Sequence, residues 1–392
     1  MAELIYLDNA ATTPLAPEAL EAMLPFLQGL TGNPSSVHAT GRRARNASDR
    51  ARAEIAAALG CSVGEIVLTS GGTESDNLAL AGVMRAAGRG HVVTSAIEHH
   101  AVLHACEALE AEGFGVTYLP VDRYGLVAPE SLRVSLRPDT VLVSIMLANN
   151  EIGAVQPIVE LARIAHERGV LFHTDAVQAA GQLDINVDRL EVDLLSLSAH
   201  KFQGPRGVGL LYVKEGVSVA PIAFGGGQEL GRRSGTENVA GLVGMARALA
   251  LAQERMPQQA RRFAELRDML VSSVMASVED VILTGHPERR LPGNASFCFD
   301  GVDAESLVIS LDLEGIQASA GSACTSGSLQ VSHVIEALGL PARYRAGSLR
   351  LTVGAMNDEE QIGRAAAAVC DHVARLRSLA AEEAAPRGKR GG

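Results

Sequence analysis

Through the first half of the chain, short unbroken apolar runs alternate with longer amphipathic stretches. Residues 65–70, EIVLTS, predict a strand, and 73–88 a helix with apolar positions three and four apart. The rhythm repeats with strands at 91–97, 115–122, 140–148, 170–176 and 192–198, and with helices at 100–113, 129–136 and 158–169. Strands that are apolar at consecutive positions are buried on both faces, which predicts an α/β fold with a mostly parallel sheet under helices. Residues 208–213, VGLLYV, follow their predecessor after a short Gly/Pro-rich turn, too short for a parallel crossover, so this strand is expected to run antiparallel.

Beyond it a long helical stretch spans about 237–277, and the rhythm then changes. NASFCFD (294–300), AESLVISLDLEG (304–315) and SLRLTVG (348–354), with a final helix, predict a smaller α+β domain. The length of 392 residues exceeds what one core usually supports. From about Ala380 the chain is rich in Ala, Glu, Arg and Gly, and residues 381–392 are expected to be a disordered tail.

Composition narrows the function classes. The net charge of −11 argues against nucleic acid or an anionic membrane as partner. No apolar run approaches a membrane span, and the first residues carry no secretory pattern. The five cysteines, Cys61, Cys106, Cys298, Cys324 and Cys370, are odd in number and unpaired in spacing, which fits reduced thiols and a cytoplasmic location. All but Cys324 fall in helix- or strand-like segments.

Candidate chemistry gathers at four strand ends. In TSGGTESDN (69–77) a glycine pair precedes Thr73, which suits either a phosphate at a helix N-terminus or a plain N-capping turn. In SAIEHHAVLHAC (95–106), His100 and His104 have metal-ligand spacing, but no further Cys or His cluster completes a site, so no metal is expected. His99, at the strand–helix junction, is better placed to meet a ligand. In LFHTDAVQAAG (171–181), Asp175 ends an apolar run, where a carboxylate needs either a cation or a helix to cap. In SLSAHKFQGPRG (196–207), Lys201 is one of only three lysines in a chain that otherwise uses arginine. A desolvated lysine can lose its proton and attack a carbonyl, which arginine cannot do. A lysine, an acid, a histidine and an anion cradle are the parts that pyridoxal 5'-phosphate requires.

Taken in order, YLDNAATTP (6–14), GNPSSVHATG (32–41), SGGTESDN (70–77), NNEIGAVQP (149–157), HTDAVQAAG (173–181), SAHKFQGPRGVG (198–209), RSGTENV (233–239), GSACTSG (321–327) and SLRLTVG (348–354) resemble the NifS/IscS-like cysteine desulfurases. These are class-V members of the fold-type I pyridoxal-phosphate enzymes. The resemblance implies a large domain over 16–258 and a small one formed by 1–15 and 259–380. It implies that Lys201 holds the cofactor, Asp175 pairs with its ring nitrogen and His99 stacks on the ring and shuttles a proton. Gln178 would bond the ring hydroxyl, and Gly72, Thr73, Ser198 and His200 would take the phosphate. Asn150 would touch both the cofactor and the substrate carboxylate, which Arg350 would clamp as a two-pronged fork. Thr236 would reach the phosphate of the other subunit, which makes a homodimer.

The fold alone does not choose a reaction. ASAGSACTSGS (318–328) sets Cys324 among small residues that build little core, which predicts a mobile loop. By resemblance, Cys324 takes sulfur from L-cysteine as a persulfide, releasing L-alanine. The sulfur then passes to an acceptor protein, such as an iron–sulfur scaffold or a tRNA-thiolation protein. An aminotransferase or selenocysteine lyase of the same fold, for which Cys324 is dispensable, and a cofactor-free scaffold remain the alternatives at this point.

Overall fold

A computed structural model describes residues 4–29, 32–321 and 331–384. Its strands are β1 (Ile5–Tyr6), β2 (Ile66–Thr69), β3 (His91–Ser95), β4 (Gly115–Leu119), β5 (Thr140–Ser144), β6 (Leu171–Asp175), β7 (Leu194–Ser198), β8 (Gly209–Val213), β9 (Val281–Leu283), β10 (Asn294–Phe299), β11 (Ile316–Gln317) and β12 (Ser348–Thr352). Seven of them form one sheet in the order β2-β8-β7-β6-β5-β3-β4. Neighbours from β7 through β4 run parallel, and β8 lies antiparallel to both β7 and β2. β8 is reversed as the short turn requires.

Consecutive residues of these strands enter opposite cores. Val93, Val143, Leu195 and Leu210 pack into one apolar cluster, while Val92, Leu142, Leu194 and Leu211 pack into the other. This is the cause of the unbroken apolar runs. The helix Gly72–Ala87 fills one side through Leu78 and Val83, and the helix Ile158–His166 fills the other through Leu161 and Ala165.

A further core lies beyond. β12, β10 and β9 form an antiparallel sheet, and β1 pairs with β11 in parallel. Ile5 and Leu7 join Phe297, Phe299, Leu349 and Leu351 there. The helix Val239–Ser277 serves both regions, with Leu242, Met245 and Leu249 in the first and Phe263, Leu266 and Leu270 in the second.

The structure corrects three details. The cap of the helix Gly72–Ala87 is Gly71, so Thr73 lies inside the first turn. Cys61 sits in the turn after the helix Ala39–Leu59, because Gly60 ends that helix in the left-handed conformation. The last helix, Glu359–Ala384, runs past Ala380, since Ile362, Val369 and Val373 pack on the second core and its Ala/Glu-rich end favours helix. No helix among the described residues is long and apolar enough to cross a membrane.

Candidate active site

The carboxyl ends of β2, β3, β5, β6 and β7 open on a cavity of about 280 Å³. Gly72, Thr73, His99, Asn150, Asp175, Gln178, Ser198, His200, Lys201 and Arg350 all line it. A parallel sheet brings these positions together because it aligns one end of every strand. Thr236 is exposed and does not line the cavity of its own chain. Cys324 lies outside the described residues.

Lys201 closes a single helical turn, Ala199–Lys201, at the end of β7. Its Nζ donates to the carbonyls of Ala10 and Ala11. That segment is itself fixed, for Ala10 N donates to Thr352 Oγ1 at 2.9 Å and Thr13 N to the His200 carbonyl at 2.9 Å. Gln178 Nε2 donates to the same Ala10 carbonyl at 3.0 Å.

Asp175 ends β6, and it caps no helix. Its Oδ1 accepts from Val177 N at 2.9 Å. Burial raises its pKa to about 6, against the pull of that N–H and of the Lys201 charge. Opposite, His99 caps the helix His100–Ala111, and its Nδ1 accepts from Ala101 N at 3.1 Å. The neutral ring therefore carries its proton on Nε2. Burial, then the Lys201 charge, lowers its pKa to about 4, so it is neutral near pH 7.

The glycines after β2 are a matter of space. A Cβ on Gly72 would meet Val177 Cγ2 at 2.8 Å, and one on Gly209 would lie 2.6 Å from Gly71 Cα. Bare backbone and a helix N-terminus thus face Ser198, His200 and Arg206 around an open concavity suited to an anion.

Arg350, on β12, is 2 % exposed. Its Nη2 donates to Asp8 Oδ1 at 2.7 Å, and its Nη1 to the carbonyls of Asn150 and Gly321, both at 3.0 Å. Its Nε has no hydrogen-bond partner among the described residues. Asn150 stands on a turn built by Asn149, whose Oδ1 accepts from Glu151 N and Ile152 N.

Several residues here were not singled out from the sequence. Asp8 aligns Arg350 from 342 positions away. His333 comes 4.7 Å from His100, which stacks on His104 at 5.0 Å, so the histidine spacing builds a ring cluster at the cavity wall. Among the described residues no group of three His, Cys, Asp or Glu side chains could hold a metal ion. Asp76, which lines the cavity, and Glu98, which does not, are both buried. Neither stood out along the chain, Asp76 lying in the polar run TESDN (73–77) and Glu98 beside two histidines.

The class-V aminotransferase family profile matches residues 5–364. The chain belongs to the class-V aminotransferases. It is 51% identical over 361 residues to a protein from Dictyoglomus turgidum named cysteine desulfurase IscS, covering 91% of each chain. A solved NifS-like protein superposes with a TM-score of 0.90 at 37% identity, over 95% of this chain and all of that one. SspA, solved in complex with cysteine, is 35% identical over 89% of this chain and 98% of its own, with a TM-score of 0.79. This class-V chain is a cysteine desulfurase of the NifS/IscS type, with the fold-type I architecture of pyridoxal-phosphate transferases.

Proposed function

We propose that the protein converts L-cysteine to L-alanine with pyridoxal 5'-phosphate held at Lys201, and that Cys324 receives the sulfur as a persulfide. The observation that carries this reading is the convergence of Lys201, Asp175, His99 and Arg350 on one cavity. The described residues fit the cofactor. The bare Gly71–Gly72 backbone, with Thr73, Ser198 and His200, suits its phosphate, and Asp175 suits a ring nitrogen that must stay protonated. When bound, the cofactor supplies an electron sink for the substrate's α-carbon.

The chain's own groups do the rest. Arg350 offers its unpartnered Nε and the Nη2 now shared with Asp8 to a substrate carboxylate, with Asn150 beside it. His99 holds a proton at Nε2 above the site and is uncharged near pH 7, so it meets the cofactor ring as a neutral imidazole, and a proton it takes up during turnover is readily passed on. Gly321, three residues before Cys324, is held at the cavity by Arg350. Burial pushes the thiols of Cys61, Cys106 and Cys298 up to about 12 and raises that of Cys370, so none of these four is a ready thiolate.

Under the same reading the enzyme is a cytoplasmic homodimer in which Thr236 serves the partner's phosphate site. Its domains divide at 15/16 and 258/259. It passes sulfur to a protein of iron–sulfur cluster assembly or of tRNA or cofactor thiolation. The test is a short pulse of L-cysteine on the purified protein, with alanine assayed and each cysteine peptide weighed. Alanine without a sulfur adduct on Cys324 overturns the reading.

A further inference from the structure

The floor of the cavity holds more acid than a single ring nitrogen needs. Asp175 on β6, Asp76 on the helix Gly72–Ala87 and Glu98 before His99 are all buried, with exposures of 6 %, 1 % and 0 %. Two of them line the cavity, Asp175 and Asp76. Of the nearby cations, Lys201 acts on Asp175, and Arg350 is paired with Asp8. His99 and His200 are neutral, both brought to about 4 by burial and the lysine charge.

Among the described residues Asp76 pairs with no lysine or arginine. The basic nitrogen beside it is His173 Nε2, 3.8 Å from Asp76 Oδ1. Burial lowers His173 to about 3, so the ring is neutral. It is held between Ser144 Oγ on Nδ1 at 2.8 Å and Ser196 Oγ on Nε2 at 3.0 Å. Asp76 Oδ1 has no hydrogen-bond partner among the described residues. An ionised carboxylate with a bare buried oxygen is costly, and a protonated one far less so.

The neighbours decide which acid carries a proton. Asp175 has the Val177 N–H and the Lys201 charge, both favouring its anion. Asp76 has the neutral His173 ring beside it and faces the negative potential of Asp175. Glu98, which accepts from Ser95 and Met146, is itself raised to about 8 by burial and is neutral near pH 7. Two interacting carboxyls titrate as a pair, and the first proton resides on the worse-solvated member.

We infer that Asp76 is a positioning residue for Asp175. Kept as a neutral carboxylic acid, it holds the one proton that the two carboxyls share and leaves Asp175 as the anion facing the ring nitrogen. No bond to carbon is made or broken. The proton stays on Asp76, and its unpartnered Oδ1 is the atom free to carry it. The last clause of the assignment rests on the cofactor reading above, and the protonation state itself does not.

The experiment is infrared difference spectroscopy on the full-length protein labelled with aspartate carrying carbon-13 in its side-chain carboxyl, at pH 7. The label separates aspartic acid from Glu98. A carboxylic-acid C=O band is expected in the wild type, absent in Asp76→Asn and retained in Asp175→Asn. A wild type without the band, or a band lost in Asp175→Asn and kept in Asp76→Asn, overturns the assignment. If Asp76→Asn does not fold, the wild-type spectrum still decides whether an aspartic acid is protonated, and Asp175→Asn decides which one. In denaturant unfolding of the cofactor-free chain between pH 5 and 7, the wild type is expected to lose stability relative to Asp76→Asn by about tenfold in the unfolding constant per pH unit, the slope of one proton. A ratio independent of pH overturns it. The near-visible absorbance of the bound cofactor, and its loss in Lys201→Ala, test the cofactor reading separately.

Discussion

Arg350 Nη2 sits 2.7 Å from Asp8 Oδ1, so the residue offered to the substrate carboxylate is already held by a carboxylate from the opposite end of the chain. The pair aligns the guanidinium before substrate arrives. Arg350→Lys replaces a planar fork by a point charge that cannot span Asp8, two carbonyls and a substrate. Cysteine binding is expected to weaken by about 1.5–3 kcal/mol, the scale of a charged hydrogen bond. An unchanged KM for cysteine removes Arg350 from the site.

Asp8→Asn keeps the shape and removes the charge. Arg350 then stays buried against the carbonyls of Asn150 and Gly321 without its hydrogen-bonded carboxylate. The melting temperature should fall, by a stability loss of about 2 kcal/mol, and added substrate should recover part of it because its carboxylate replaces the missing charge. Equal substrate stabilisation in variant and wild type contradicts this.

Much of this site was legible along the chain. Asp175, Ser198 and Lys201 each mark the end of a strand or the turn just after it, and a parallel sheet makes such positions neighbours without further information. Asp8, His333 and Asn149 were not legible. The first two act through contacts made only when distant segments close on each other, and Asn149 acts through a local turn that resembles any polar loop. Asp76 looked like one polar residue on a helix surface, whereas the packing of that helix on the sheet buries it.

Glu98 gives a pH prediction whose sign can be worked through. Its pKa is about 8 in the fold, against an ordinary 4.5. The folded chain keeps a proton that the unfolded chain loses above 4.5, so stability falls as pH rises from about 4.5 to 8 and levels off beyond. Glu98→Gln, which cannot ionise, should match the wild type near pH 4.5 and melt higher at pH 8, by a margin on the order of a few kcal/mol. Parallel melting curves across this range remove Glu98 from the proton inventory.

The phosphate cradle is tested by Gly72→Ala. The new methyl lies 2.8 Å from Val177 Cγ2 and must push it aside. Overpacking of this kind costs about 1–3 kcal/mol, and cofactor affinity measured by fluorescence titration should drop. Val177→Ala in the same chain makes room and should restore most of it. A double variant no better than Gly72→Ala argues that the glycine serves the backbone and not the space.

Cys324→Ser should leave the near-visible absorbance intact and stop both the sulfur adduct and alanine release. Serine at Cys61, Cys106, Cys298 or Cys370 should spare them, since those thiols are held protonated. The check is peptide mass spectrometry after a cysteine pulse, and an adduct on any of these four in the Cys324→Ser protein contradicts the assignment.

The pairing of Ile5 and Tyr6 with Ile316 and Gln317, and of Leu7 with Thr352, also sets an order of events during translation. The seven-stranded sheet is complete once Val213 has emerged from the ribosome. Residues 10–13 can meet Gln178, His200 and Gln203 as soon as that sheet exists, but Ile5 and Tyr6 must wait for β11, and Leu7 and Ala10 for Thr352 in β12, before the segment is held at both ends. Ala10 and Ala11 also receive the Lys201 amine. The nascent chain therefore has its sheet long before the segment that anchors its lysine is fixed from both sides, and the second side comes only when the last strand is synthesised.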